Sequence, residues 1–216
     1  MNLLITAGPT REAIDPVRFL SNRSSGRMGY ALAQAALEVG HRVTLVSGPV
    51  SILAPQGVTL VRVESAQEMF EAVREHLPHQ DAAIFAAAVA DYRPAQVAGQ
   101  KIKKASEELT LKLERTPDIL GSARSVFGFK GLLVGFAAET QDLVAHAQDK
   151  LRRKGCDLLI ANDVSRPGTG FDSEENEVTL LLPDTPPQAL PRGPKAAIAG
   201  EILRVMAGLR HPTITA

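Results

Sequence analysis

The chain has 216 residues, 44% of them hydrophobic and 22% charged, with 24 basic side chains balanced by 24 acidic ones. That composition excludes a disordered or fibrous chain, and a net charge of zero leaves no broad basic face for nucleic acid. A single cysteine, Cys156, excludes an intramolecular disulfide, and no paired Cys/His spacing suggests zinc. With no basic leader and no apolar run near the roughly 18 residues of a membrane span, the sequence predicts a soluble, cytoplasmic protein with no membrane partner.

In chain order, a strand over residues 3–7 precedes an Ala-rich helix over 26–39 and a β-branched strand over 42–46, which together make a βαβ unit. The alternation continues with a strand at 59–63, a helix at 66–76, the apolar run 82–88, a strand at 132–135, a helix at 140–154 and a strand at 157–160. Such repetition predicts an α/β, Rossmann-like three-layer fold with a mostly parallel sheet. Between about 91 and 123 the period is lost, and this stretch reads as an inserted lid carrying a strand pair, including the alternating run 109–113. A late strand at 178–182 runs into five prolines between 183 and 194, read as a loop, then a helix at 195–209 and a frayed tail from about 211. One domain over 1–216 is expected, with no internal repeat.

In open α/β sheets the ligand lies beyond the carboxyl ends of the strands, so the loops there carry the chemistry. Ser24, Ser25 and Gly26 open the first helix, where small residues expose backbone amides to an anion. This reads either as a phosphate cradle or as a helix capped by Ser24 or Ser25. Neither a GxGxxG fingerprint nor a Walker A lysine is present, against NAD binding and P-loop chemistry. The run Ala86-Ala87-Ala88 lets a ligand lie against backbone, and Asp91 beyond it suits a hydroxyl or Mg2+, or merely caps a turn. Lys101, Lys103 and Lys104 read as a solvated face or as a loop that closes over phosphates. Lys150 and Lys154 share one helix face, Phe136 either stacks on a base or packs, and Thr140 caps the following helix. The polar runs 161–165 and 170–176 read as site walls or surface turns. Cys156 reads as core, with no histidine placed to activate it.

These loops resemble the phosphopantothenoylcysteine synthetases of the bacterial CTP-dependent type, commonly the C-terminal half of a fusion with a flavin decarboxylase. The resemblance rests on runs 5–12, Asp15-Pro16-Val17-Arg18, 21–26, 87–92, Lys101-Ile102-Lys103-Lys104, Pro117-Asp118-Ile119-Leu120, 135–140 and 161–165, in family order. It implies a ligase of coenzyme A biosynthesis that joins 4′-phosphopantothenate to cysteine through an acyl cytidylate, with CTP and Mg2+. By the same resemblance Asn22 and Lys101 are catalytic, while Arg18, Asn22, Ala87, Ala88 and Asp91 meet the substrate. Ser24, Gly26, Ala86, Asp91, Lys101, Pro117, Asp118, Ile119, Leu120, Phe136, Lys150 and Lys154 meet the nucleotide, and Asp91 meets the metal. A homodimer that brings Arg18 and Asn22 in from its partner is implied, and with it either association with or origin from a decarboxylase fusion. The competing readings are a Rossmann-like NAD(P) oxidoreductase and a non-catalytic nucleotide-binding module.

Overall fold

The structure, a computed structural model, describes residues 1–104, 107–139, 142–163 and 173–209. The elements are β1 (Asn2–Ala7), β2 (Arg11–Ala13), β3 (Phe19–Ser21), α1 (Arg27–Glu38), β4 (Arg42–Ser47), β5 (Thr59–Arg62) and α2 (Ala66–His76). There follow β6 (Ala82–Phe85), β7 (Tyr92–Pro94), β8 (Leu113–Arg115), α3 (Ile119–Ser125), β9 (Leu132–Glu139) and α4 (Leu143–Lys154). The chain closes with β10 (Leu158–Asp163), β11 (Glu175–Leu181), β12 (Gln188–Pro194) and α5 (Lys195–Gly208).

Eight strands form one sheet in the order β12-β11-β10-β9-β6-β1-β4-β5, and its six central and right-hand members run parallel. Parallel strands are covered on both faces, which is why Leu3, Leu4, Ile5, Ala82, Ala83 and Ile84 have no exposed surface. Alternation divides them: Leu3 and Ile5 join the core under α1 and α5, while Leu4 and Ala83 join the core under α2, α3 and α4. Each buried leucine or isoleucine contributes about 1.5–3 kcal/mol of transfer free energy, so this two-sided core fixes the sheet and hence the loops at its ends.

Several expectations are corrected. The 82–88 run stops being strand at Phe85, and the 132–135 strand extends to Glu139. The first helix is not capped by Ser24 or Ser25: its N-cap is Gly26, with no side-chain cap bond. The proline-rich loop is instead largely β12, antiparallel to β11 at the sheet edge, the position in a sheet that tolerates proline. The strand pair of the inserted segment is β7 with β8, and only Leu113 of the 109–113 run enters it. Thr140, residues 164, 165 and 170–172, and the tail from 211 lie outside the described residues.

Candidate active site

Strand order reverses beside β1: β4 and β5 lie on one side, β6 and β9 on the other. At that switch point a cavity of about 690 Å³ opens over the strand ends, lined by Thr6, Ala86, Ala87, Ala88, Phe136 and Asn162 from the sheet side. A volume of this size falls within the range of small-molecule and cofactor sites.

The loop of residues 86–91 forms the cavity floor and is held by hydrogen bonds that leave little freedom. The Ala87 amide donates to Thr6 Oγ1 at 3.2 Å and the Ala90 amide to Thr10 Oγ1 at 3.0 Å, so two threonines of the first strand region set its path. Thr116 Oγ1 donates to the Ala90 carbonyl at 2.5 Å, and the Asn22 amide donates to the carbonyls of Ala88 and Val89 at 3.0 and 3.1 Å. Methyl side chains at 86–88 keep this wall thin, so a ligand approaches backbone.

One end of the cavity is the start of α1. Gly26 adopts φ +77, a left-handed conformation costly for other residues, and a Cβ there would stand 2.6 Å from Val50 Cγ1. Its first turn holds no acidic residue and no side-chain cap, so amides and helix dipole face the cavity uncompensated. Ser24 Oγ accepts from the Gly26 amide at 3.3 Å and so stays outside the helix. Arg27 lines the same end.

The opposite wall comes from residues 115–120 and α4. Asp118 caps α3 through the Gly121 amide at 2.9 Å and pairs with Lys154, while Lys150 Nζ donates to the Phe136 carbonyl at 2.8 Å. Burial pushes the Asp118 carboxyl up, but the Lys154 contact and the Gly121 amide outweigh it and hold it below its ordinary value. Arg115 and Arg153 also line this wall, which makes it a basic rim.

Of the residues singled out from sequence, Asn22, Ser24, Gly26, Ala86, Ala87, Ala88, Asp91, Pro117, Asp118, Ile119, Leu120, Phe136, Lys150 and Lys154 line this one cavity. Arg18 and Lys101 do not. Arg18 is turned onto Asp15, with Nη2 2.6 Å from Oδ2, and also donates to the Ile102 carbonyl at 3.2 Å; Lys101, one residue before, is exposed. These hydrogen bonds lay both residues along the β2–β3 hairpin, outside their own chain's cavity. Cys156 is buried and its thiol is pushed up to about 12, chiefly by burial, so it is inert.

Sequence reasoning missed Lys195, Arg27, Arg115 and Arg153 and did not single out Asn162 or Asn176 within their runs. Asn162 sits in β10 and lines the cavity, with its Oδ1 buried and, among the described residues, without a hydrogen-bond partner. Lys195 is only 7% exposed at the start of α5, where its ammonium donates to the carbonyls of Ser173 and Glu175. A lysine at a helix N-terminus opposes the dipole, and that misplacement was the available signal.

The Coenzyme A biosynthesis bifunctional protein CoaBC of Vibrio vulnificus (strain YJ016) is 53% identical over 205 residues, which are 94% of this chain and 51% of that protein. The chain thus spans about half the length of the curated relatives it matches. The crystal structure of the C-terminal domain of a CoaBC protein superimposes with a TM-score of 0.82 at 44% identity, covering 96% of this chain and 94% of that one. Cab2 mutant H337A, solved in complex with phosphopantothenate-cysteine, shares the fold with a TM-score of 0.77 at 17% identity, covering 96% and 87% of the two chains. Residues 1–209 match the family of the DNA/pantothenate metabolism flavoprotein C-terminal domain, and the chain belongs to that family.

Proposed function

We propose that this chain is a phosphopantothenate–cysteine ligase of coenzyme A biosynthesis that consumes CTP. The observation that carries the reading is the uncapped start of α1, facing the thin alanine wall of residues 86–88 across one cavity. Free amides and dipole suit a polyphosphate there, and the alanines leave room for an acyl chain against backbone. Relatives that are coenzyme A biosynthesis proteins, and a same-fold protein bound to phosphopantothenate-cysteine, support the substrate class.

In this reading a carboxylate oxygen of phosphopantothenate attacks the α-phosphorus of CTP, and the bond to the β-phosphate breaks to release pyrophosphate. The cysteine amine then attacks the acyl carbon, loses a proton, and the C–O bond to CMP breaks. The protein's part is to hold two anions against each other and neutralise them. The α1 amides and Arg27 take phosphate charge at one end, Arg115, Lys150 and Arg153 at the other, and Asn22 holds the intermediate beside the Ala88 carbonyl. The Asn162 acceptor suits a donor edge or hydroxyl of the nucleotide.

Among the described residues no three His, Cys, Asp or Glu side chains gather into a metal cage. Mg2+ fits as an ion brought in by the phosphates and met by one carboxylate, Asp91, a usual arrangement for this ion. Bound there, it neutralises charge on the phosphates.

The proposal includes a homodimer. Val17, Phe19, Tyr92, Val97 and Leu113 are exposed apolar residues of the two hairpins, which pack together through β2 and β7. A second copy covering that face gives Arg18 a site to reach across the interface, while Lys101 extends its side chain to the phosphates from the segment beside it. Association with a decarboxylase domain and a cytoplasmic setting complete the reading. Mass spectrometry of a mixture of protein, phosphopantothenate, cysteine, CTP and Mg2+ tests it: phosphopantothenoylcysteine and CMP in equal amounts are expected, and their absence with folded protein overturns it.

A further inference from the structure

Asp15 lies in the turn between β2 and β3, and its side chain has no exposed surface. A buried carboxylate is costly unless its lone pairs are filled, and here they are. Oδ1 accepts from the amides of Val17 and Arg18, both at 2.9 Å. Oδ2 accepts from Arg18 Nε and Nη2 at 3.0 and 2.6 Å and from the Ile102 amide at 3.1 Å. The last of these bonds spans 87 residues of sequence and reaches the neighbour of Lys101.

Two further bonds tie the same pieces. Arg18 Nη2 donates to the Ile102 carbonyl at 3.2 Å, so both backbone groups of residue 102 are held by the Asp15–Arg18 pair. The Ala98 amide donates to the Ile14 carbonyl at 3.0 Å. The path from 98 to 102 is thereby fixed onto the hairpin turn, although Lys101, Lys103 and Lys104 are themselves exposed.

We propose that Asp15 is a positioning residue of the ligase: through the Ile102 amide and the Arg18 guanidinium it fixes the backbone from which Lys101 reaches the reacting phosphates. It touches no substrate. The inference rests on the role given to Lys101 above, and adds that the lysine's reach is set by a carboxylate on another hairpin. Positioning of this kind is worth large factors, since a displacement of about 1 Å in a reacting group costs on the order of 100-fold.

Asp15→Asn isolates the effect. The amide retains an oxygen for the Val17 and Arg18 amides but turns an NH2 toward Ile102 and the guanidinium, so donors face donors. The test is a double-mutant cycle with Lys101→Gln, measured as steady-state ligase kinetics. Asp15→Asn is expected to lower kcat at least about 10-fold while the KM for CTP changes less than about 2-fold, because the cavity walls are untouched. In the Lys101→Gln background the same substitution is expected to cost nothing further, whereas losses that multiply overturn the inference. Full activity of Lys101→Gln alone defeats the lysine's role, and the inference with it; full activity of Asp15→Asn beside an impaired Lys101→Gln defeats the inference only. Trypsin provides a readout apart from turnover: at a temperature well below the Tm of either protein, cleavage after Lys101, Lys103 and Lys104 should accelerate in Asp15→Asn, and unchanged cleavage counts against the tether. Should Asp15→Asn lose its unfolding transition, Ile102→Pro removes the donated amide with the carboxylate and arginine intact, and the same cycle decides.

Discussion

Gly29→Ala puts the largest consequence on the smallest change. Gly29 lies in the first turn of α1, and a Cβ built there stands 2.5 Å from Ala7 Cβ and 3.1 Å from Ala7 Cα, at the end of β1. Carbon atoms settle near 3.5–4.0 Å, so the start of α1 must retreat from the sheet by about 1 Å or more. Overpacking of this sort costs about 1–3 kcal/mol, and the better helix propensity of alanine returns about 1 kcal/mol. The net loss is about 0–2 kcal/mol, a fall in Tm of at most about 8 °C for a chain of this size. Function should suffer far more, because the retreat carries the amides of residues 26–28 away from the phosphates, and about 1 Å there is worth on the order of 100-fold in kcat/KM. Gly200→Ala is the control: it lies within α5 with nothing within 4 Å of its added methyl, so it should raise stability by about 1 kcal/mol and leave activity alone. Calorimetry and nucleotide-dependent kinetics on both variants decide the matter. A Gly29→Ala protein that is folded and turns over CTP like the parent refutes the assignment of α1 as the phosphate cradle.

Other outcomes follow from the same site. Asn22→Asp sets a carboxylate against the carbonyls of Ala88 and Val89, so single-turnover pyrophosphate release should persist while the acyl cytidylate accumulates; normal overall turnover contradicts the role given to Asn22. Cys156, its thiol pushed up to about 12, should resist iodoacetamide at pH 8 until the protein unfolds, and rapid labelling of native protein contradicts its burial. Asp15 and Asp118 are both held below the ordinary carboxylate range, Asp15 chiefly by the Arg18 guanidinium. Folded-state values lower than the unfolded one mean that each stabilises the fold fully above about pH 5 and loses that contribution as pH falls through and below about 4. Asp118→Asn should therefore lower Tm at pH 7 and narrow the gap to the parent at pH 3, and an equal gap at both would contradict the Lys154 contact.

The parallel sheet was legible because its central strands, β1 and β6, are apolar on both faces and because helix-length segments recur between strands along the chain. Three-residue strands such as β2 and β3 leave no period to detect, and α3, with seven residues, spans barely two turns. The late prolines argue against a central strand, and only the sheet order reveals that β12 is an edge. In the site, glycine and serine at a helix opening and alanine at a strand end announce backbone approach, so much of the cavity wall could be named in advance. Asn162 and Lys195 could not, because their significance is an oxygen without a partner among the described residues and a buried ammonium, properties of packing between β10, β11 and α5. Arg18 and Lys101 show the converse limit: residue type marks them for anions, while the Asp15 carboxylate determines where their backbone lies.

Pyrophosphate release from purified protein with phosphopantothenate and Mg2+, with CTP or ATP and with or without cysteine, tests the central claim most directly. Sustained release that requires both CTP and cysteine is the predicted result. Release favouring ATP overturns the choice of nucleotide, and no release from folded protein with either contradicts the ligase itself.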